Sequence, residues 1–214
     1  MWYLLNLKSI EDDFFELKEN FYDINDSLDI KRDHFSKDVM ENLLQTYEYV
    51  NFLLSKWVDI LDWHHNHEIL ELNHLVLIWK SIDLRQEYNK HIEETRKKFS
   101  KWIEHTIKRA WKKNSKWVYK VAAWIFIHWV SQPQLFIEWN HRTNTTLVNY
   151  LLLREWENPF IVNTLNAKAF FNPAQEIKRT FKWSLKETFK MLKHKKIFKD
   201  FFSKYSSSKY KINN

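Results

Sequence analysis

The spacing of apolar positions along the chain predicts helices almost throughout. Val39, Leu43, Tyr47, Val50, Leu54, Trp57, Val58 and Leu61 recur at helical intervals, which predicts one long helix over Lys37–Asp62. Ser36 is its N-cap, and Asp38 lies in the first turn, where a negative charge is favourable. Upstream, Phe14, Phe15, Leu17, Phe21 and Tyr22 predict an amphipathic helix near Ile10–Glu19, followed by a turn at Asn25-Asp26-Ser27. Asp83 with Gln86 forms a capping box for a charged helix running to about Lys112, striped by Phe99, Trp102, Ile103, Ile107, Ala110 and Trp111. Lys116–Val130 is apolar nearly all round and predicts a centrally buried helix closed by Pro133. Thr143–Glu157 reads as amphipathic, with Leu147, Tyr150, Leu151 and Leu153 on one side. After a break at Asn158-Pro159, Thr164 caps a short helix over Leu165–Phe171. Asn172-Pro173 with Gln175 starts another, and a last helix lies near Ser184–Lys193. The fold class is all-α. Leu75–Trp79 is the one run that reads as a short strand.

The chemistry concentrates between the two most telling helices, in Gln134–Arg142, Q-L-F-I-E-W-N-H-R. Asn140 reads as the N-cap of the second helix. A loop feeding a helix N-terminus offers unpaired backbone N–H groups and the positive end of the dipole, which suits a phosphate. Arg142 adds a charged fork, and Glu138 is placed to hold a magnesium ion.

This nonapeptide resembles the signature of the Fic/Doc (Fido) family, H-P-F-x-D/E-G-N-G/K-R between two helices. Phe136, Glu138, Asn140 and Arg142 match. Gln134 stands at the catalytic histidine, Leu135 at the proline, Trp139 at the first glycine and His141 at the second; Thr145 stands where a further arginine is common. Asn149–Val162, N-Y-L-L-L-R-E-W-E-N-P-F-I-V, is similar to the segment that follows the motif in many such proteins. The resemblance covers about residues 63–199. It implies a single helical domain with a β-hairpin flap, for which Leu75–Trp79 is the candidate; the helical spacing upstream gives an N-terminal helical extension (1–62), and the lysine- and serine-rich end gives a basic disordered tail (200–214). It also implies transfer of AMP, or a related phosphate-containing group, from ATP or another nucleotide with Mg²⁺ to a hydroxyl of a target protein. Glu138 would bind the metal, and Trp139, Asn140, His141 and Arg142 would surround the nucleotide phosphates. The motif histidine is the base in the family. Gln134 cannot accept a proton at neutral pH, so His141 is the candidate substitute. Glu71-Leu72-Asn73 bears some similarity to the family's inhibitory helix.

Composition adds a second thread. The chain has no glycine and 12 tryptophans among its 214 residues, where ordinary usage predicts about 15 glycines. Trp139 and Trp156 fall on family glycines, and Trp79 and Trp183 sit at element ends, where glycine commonly terminates helices. Some bacterial lineages read UGA as glycine, so translation of UGA as tryptophan would produce this pattern; the alternative is a chain that truly lacks glycine. Cysteine is absent, which excludes disulfides and thiol chemistry. No signal peptide is evident and the longest apolar run is too short to span a bilayer, so a cytoplasmic protein without a membrane partner is expected. The formal charge of +7 permits nucleic-acid binding, but the aromatics of the charged helix share its core-facing stripe, which argues against base stacking. His64, Glu68, Glu71 and His74 have helical spacing for a metal without matching a known zinc pattern. Three functions follow: a divergent Fic-type transferase, an inactive Fic-like interaction module, and a basic helical nucleic-acid binder.

Overall fold

The computed structural model describes residues 3–62, 64–65, 67–78, 93, 117–136, 139–182 and 185–213. Among them are eight α-helices and two short strands. In chain order these are β1 (Tyr3–Leu5), α1 (Leu7–Glu19), α2 (Phe21–Asp26), α3 (Lys37–Ser55), α4 (His67–Ile78), α5 (Val118–Val130), α6 (Asn140–Arg154), α7 (Ala167–Lys178), α8 (Leu185–Tyr205) and β2 (Lys211–Asn213). The fold is all-α, as expected. No helix among the described residues is long and apolar enough to cross a membrane. The charged helix expected over Asp83–Lys112 lies outside the described residues, as do Trp79 and Trp183.

The hydrophobic core is one cluster that α6 runs through, packed against α5, α4 and α3. α6 is buried almost all round, from Thr143 through Leu153, rather than on one face. Most of its buried polar groups reach a partner, Asn144 Oδ1 being an exception among the described residues. Asn144 Nδ2 donates to Asn140 O (2.7 Å), Thr145 Oγ1 to His141 O (2.8 Å), and Asn149 Oδ1 accepts from Phe160 N (2.9 Å). The α8 phenylalanines Phe198 and Phe202 pack against Phe126 of α5, one tilted and one edge-on, with ring centroids at 4.5 and 5.8 Å.

Several expected boundaries move. Ser36 caps α3 as predicted, its Oγ accepting from Val39 N, but the helix ends at Ser55 rather than Asp62. Leu75–Ile78 forms the last turn of α4, not a strand or flap. α4 begins at His67, so His64 is not on it, and among the described residues no three metal-binding side chains gather. Pro173 lies inside α7 rather than opening a helix; the buried row Ala167, Phe170, Ala174 and Ile177 holds that helix together despite the lost N–H. The segment expected to be a disordered tail is ordered. α8 continues to Tyr205, and β2 pairs antiparallel with β1, Tyr3 opposite Asn213. Buried Asp13 anchors this closure, taking hydrogen bonds from Lys209 Nζ (2.5 Å), Asn163 Nδ2 (3.2 Å) and the Tyr210 hydroxyl.

Among the described residues three have positive φ, and all three are tryptophan: Trp57 (60°), Trp139 (57°) and Trp156 (67°). Non-glycine residues seldom adopt this region, and those that do are enriched in Asn, Asp and His. Trp57 and Trp156 each close a helix in a Schellman arrangement. After α3, the Trp57 N–H bonds Leu54 O at 3.1 Å and the Val58 N–H bonds Leu53 O at 3.0 Å. After α6, the Trp156 N–H bonds Leu153 O at 3.1 Å and the Glu157 N–H bonds Leu152 O at 2.8 Å. Both tryptophans occupy the position where glycine is the usual residue.

Candidate anion-binding site

The loop between α5 and α6 is held from both sides. Leu135 and Phe136 are buried beneath it, and Leu135 N–H bonds Trp129 O at 3.1 Å. On the far side Gln132 N–H bonds Thr180 O at 2.8 Å, tying the loop to the chain after α7. Asn140 is not the N-cap. It is the first residue of α6, and its side chain reaches back across the loop: Oδ1 accepts from Phe136 N (2.9 Å), while Nδ2 donates to Phe136 O (2.7 Å) and Gln134 Oε1 (3.3 Å). Gln134 is thereby committed to the scaffold, its Nε2 donating to Val130 O at 3.0 Å. The cap position belongs to Trp139 in the left-handed conformation, with no side-chain hydrogen bond to the helix start among the described residues. The first backbone bond of the helix runs from Thr143 N to Trp139 O, so the N–H groups ahead of it face the loop side.

These residues line a polar cleft of about 480 Å³. Gln134, Trp139, Asn140, His141 and Arg142 come together there, as the sequence predicts; Glu138, the expected magnesium ligand, lies outside the described residues. The remaining walls were not visible in the sequence pattern. Lys31, Arg32 and Asp33 come from the α2–α3 connection, and Gln175 and Lys178 from α7. The only advance signal was a charged run, K-R-D, in a segment with no helical periodicity. A smaller apolar cavity of about 70 Å³, walled by Phe14, Phe35, Phe170 and Phe171, adjoins the cleft and shares Arg32, Asp33, His141 and Arg142 with it.

Among the described residues the cleft lining carries four cationic side chains and the Asp33 carboxylate, and Lys31 is itself paired with Asp26 at 2.7 Å. Burial, then the neighbouring Arg32 charge, push the Arg142 guanidinium down to about 9, still above neutral pH, and Asp33 is the carboxylate that opposes the shift. The Arg142 guanidinium carbon sits over the Trp139 indole, 3.8 Å from the ring centroid. Arg32 is likewise lowered by burial, and its buried Nη1 has no hydrogen-bond acceptor among the described residues. His141 does not present its ring to the cleft as a free base. Its Nε2–H donates to Ala174 O at 3.0 Å, leaving Nδ1 to accept from Arg32 Nη2 at 3.4 Å. Burial, with Arg32 and Lys178 adding to it, lowers the imidazole to about 3, so it stays neutral and serves Arg32 as an acceptor. On α4, Asn73 Nδ2 donates to Thr143 Oγ1 at 2.9 Å, while the Glu71 carboxylate lies 3.7 Å from His74 Nδ1. The chain matches no protein-family model, no curated protein and no solved structure.

Proposed function

We propose that this chain binds the phosphate groups of a nucleotide at the start of α6, and that it is a Fic-type protein in which binding has outlasted efficient transfer. The observation that carries the reading is that Arg32 and Arg142 line one cleft whose described residues include a single carboxylate, Asp33, beside a helix start with no side-chain cap. Two like charges held together and partly dehydrated favour an anion between them. The Fic-like residues supply the rest. Asn140 shapes the loop, Arg142 holds phosphate, and Glu138 is the residue the resemblance assigns to Mg²⁺.

Transfer of AMP to a protein hydroxyl is the reaction the resemblance implies. It needs a base, and neither expected candidate is suited to that role. Gln134 has no titratable group and is bonded to Val130 O. His141 has its acceptor nitrogen engaged by Arg32. Loss of a general base typically costs about 10²–10⁴-fold in rate. The non-catalytic reading, in which nucleotide binding serves an interaction with a target protein, is therefore the better supported.

Calorimetric titration with ATP and ADP in the presence of Mg²⁺ tests the proposal. Binding that disappears in Arg142→Ala is expected; undiminished binding in that variant would refute it. A Gln134→His variant that then labels protein from ATP would restore the transferase reading. Affinity for DNA or RNA that falls steeply with salt, without nucleotide binding, would favour the nucleic-acid reading instead.

A further inference from the structure

Beside the polar cleft lies the smaller cavity, whose walls are apolar and whose mouth is cationic. We propose that it is a second ligand site, for the hydrocarbon chain of a short aliphatic carboxylate whose head rests on Arg142. This ligand class is neither a nucleotide nor a phosphate ester.

The cavity of about 70 Å³ is walled by side chains of α1, α3, α6 and α7 and of the α2–α3 connection, among them Phe14, Leu17, Leu43 and Phe170. The uncharged polar groups in this wall are engaged within the protein. Thr145 Oγ1 donates to His141 O at 2.8 Å, the Tyr47 hydroxyl accepts from Asn149 Nδ2 at 3.4 Å, and the two His141 nitrogens meet Ala174 O and Arg32. Such a space has room for about five water molecules, at roughly 10–15 Å³ each, but enclosed water needs two to four polar partners. Walls of this kind favour hydrocarbon instead, to a depth of about four or five carbons. Arg32 belongs to the wall and does not meet the ligand. Its guanidinium lies over the Phe171 ring at 4.6 Å, with Nη1 buried and Nη2 directed at His141. Arg142, at the mouth, differs. It is half-buried, and among the described residues its guanidinium has no hydrogen-bond acceptor or ion-pair partner, only the Trp139 ring at 3.8 Å. Its donors are not sealed from solvent as Arg32 Nη1 is. The fork matches a carboxylate at two points. Asp33, at the same mouth, repels a doubly charged head more than a singly charged one, and partial dehydration costs a monoanion less. One reachable cation in front of an apolar recess is complementary to a singly charged amphiphile.

The full chain is titrated with acetate, butyrate, hexanoate and octanoate by ligand-observed NMR. Affinity should rise about fourfold per methylene from acetate to hexanoate and then level off, because the recess is filled. Hexanol, which has the chain without the charge, should bind roughly tenfold or more weakly than hexanoate. Leu43→Phe fills the cavity from α3 and should abolish the dependence on chain length while acetate still binds. Leu17→Phe makes the same test from α1 if Leu43→Phe does not fold. Arg142→Gln should weaken every acid. Failure of all the acids to bind, an affinity independent of chain length, or a rise that continues through octanoate would overturn the proposal. So would hexanol equal to hexanoate, an undiminished chain-length dependence in a folded filled variant, or undiminished acid binding in Arg142→Gln. Titration of the same protein with ATP reports on nucleotide binding separately, so either ligand class can fail alone.

Discussion

Replacing Trp57 and Trp156 separately by glycine and by alanine isolates the left-handed backbone as a source of strain. Both substitutions remove the indole, so its burial and its contacts, including the edge-on packing of Trp156 against Tyr3 at 5.7 Å, cancel in the comparison. What remains is the Cβ. In the left-handed region a Cβ costs roughly 1–2 kcal/mol. Against this, alanine gains about 0.4–1 kcal/mol over glycine because it restricts the unfolded chain. The glycine variant should therefore be the more stable of each pair by about 0.5–1 kcal/mol at positions 57 and 156, where φ is 60° and 67°. For a chain of this size that is about 1–4 °C in Tm. Trp124, inside α5, supplies the control: there alanine should exceed glycine by about 1 kcal/mol, the ordinary helix preference. Thermal and urea unfolding of the six variants measures both orders. If alanine equals or exceeds glycine at 57 and 156, the left-handed strain is not present and the structural case for glycine at those positions falls. If glycine wins, peptide mass on protein made by its native host should find glycine at positions 57, 139 and 156, which is the expectation from UGA reassignment.

Three further outcomes follow from the same structure. Trp139→Gly relieves the third left-handed residue and uncovers Arg142, so phosphate affinity should rise several-fold in titration, with Trp139→Ala falling between; a loss of affinity would show that the indole belongs to the site. The buried His141, lowered to about 3 in the fold from the ordinary value near 6.5, binds fewer protons folded than unfolded. Its contribution to stability is therefore present above about pH 6.5 and is lost as pH falls toward 3, at up to about 1.4 kcal/mol per pH unit; urea midpoints across that range should show the slope, and His141→Asn should lessen it. Asp13→Ala leaves Tyr210 and Asn163 without their shared acceptor and should cost about 1–3 kcal/mol, with limited proteolysis newly cutting the segment after α8.

Local signals in the sequence determined the helices α1, α3 and α5, the Ser36 cap and the position of the central loop, because each rests on periodicity or on a side chain bonding its own neighbourhood. Where the reading failed, the deciding partner was remote or the residue misleading. Trp57 and Val58 extend an apolar stripe that looks helical, but the positive φ at Trp57 ends α3 seven residues early. Thr143 and Asn149 look like an exposed face until Asn73 and the Phe160 N–H donate to them and Asn149 donates to the Tyr47 hydroxyl. A lysine- and serine-rich end looks unstructured until β1, at the opposite terminus, pairs with it. The place of Arg142 at the start of α6 was legible because the loop-to-helix pattern is local. Arg32 and Lys178 were not, because charge gathered from three separate segments leaves no spacing in the chain. Only folding brings those side chains to one cleft, where partial burial makes an unmatched guanidinium costly and an anion the natural partner.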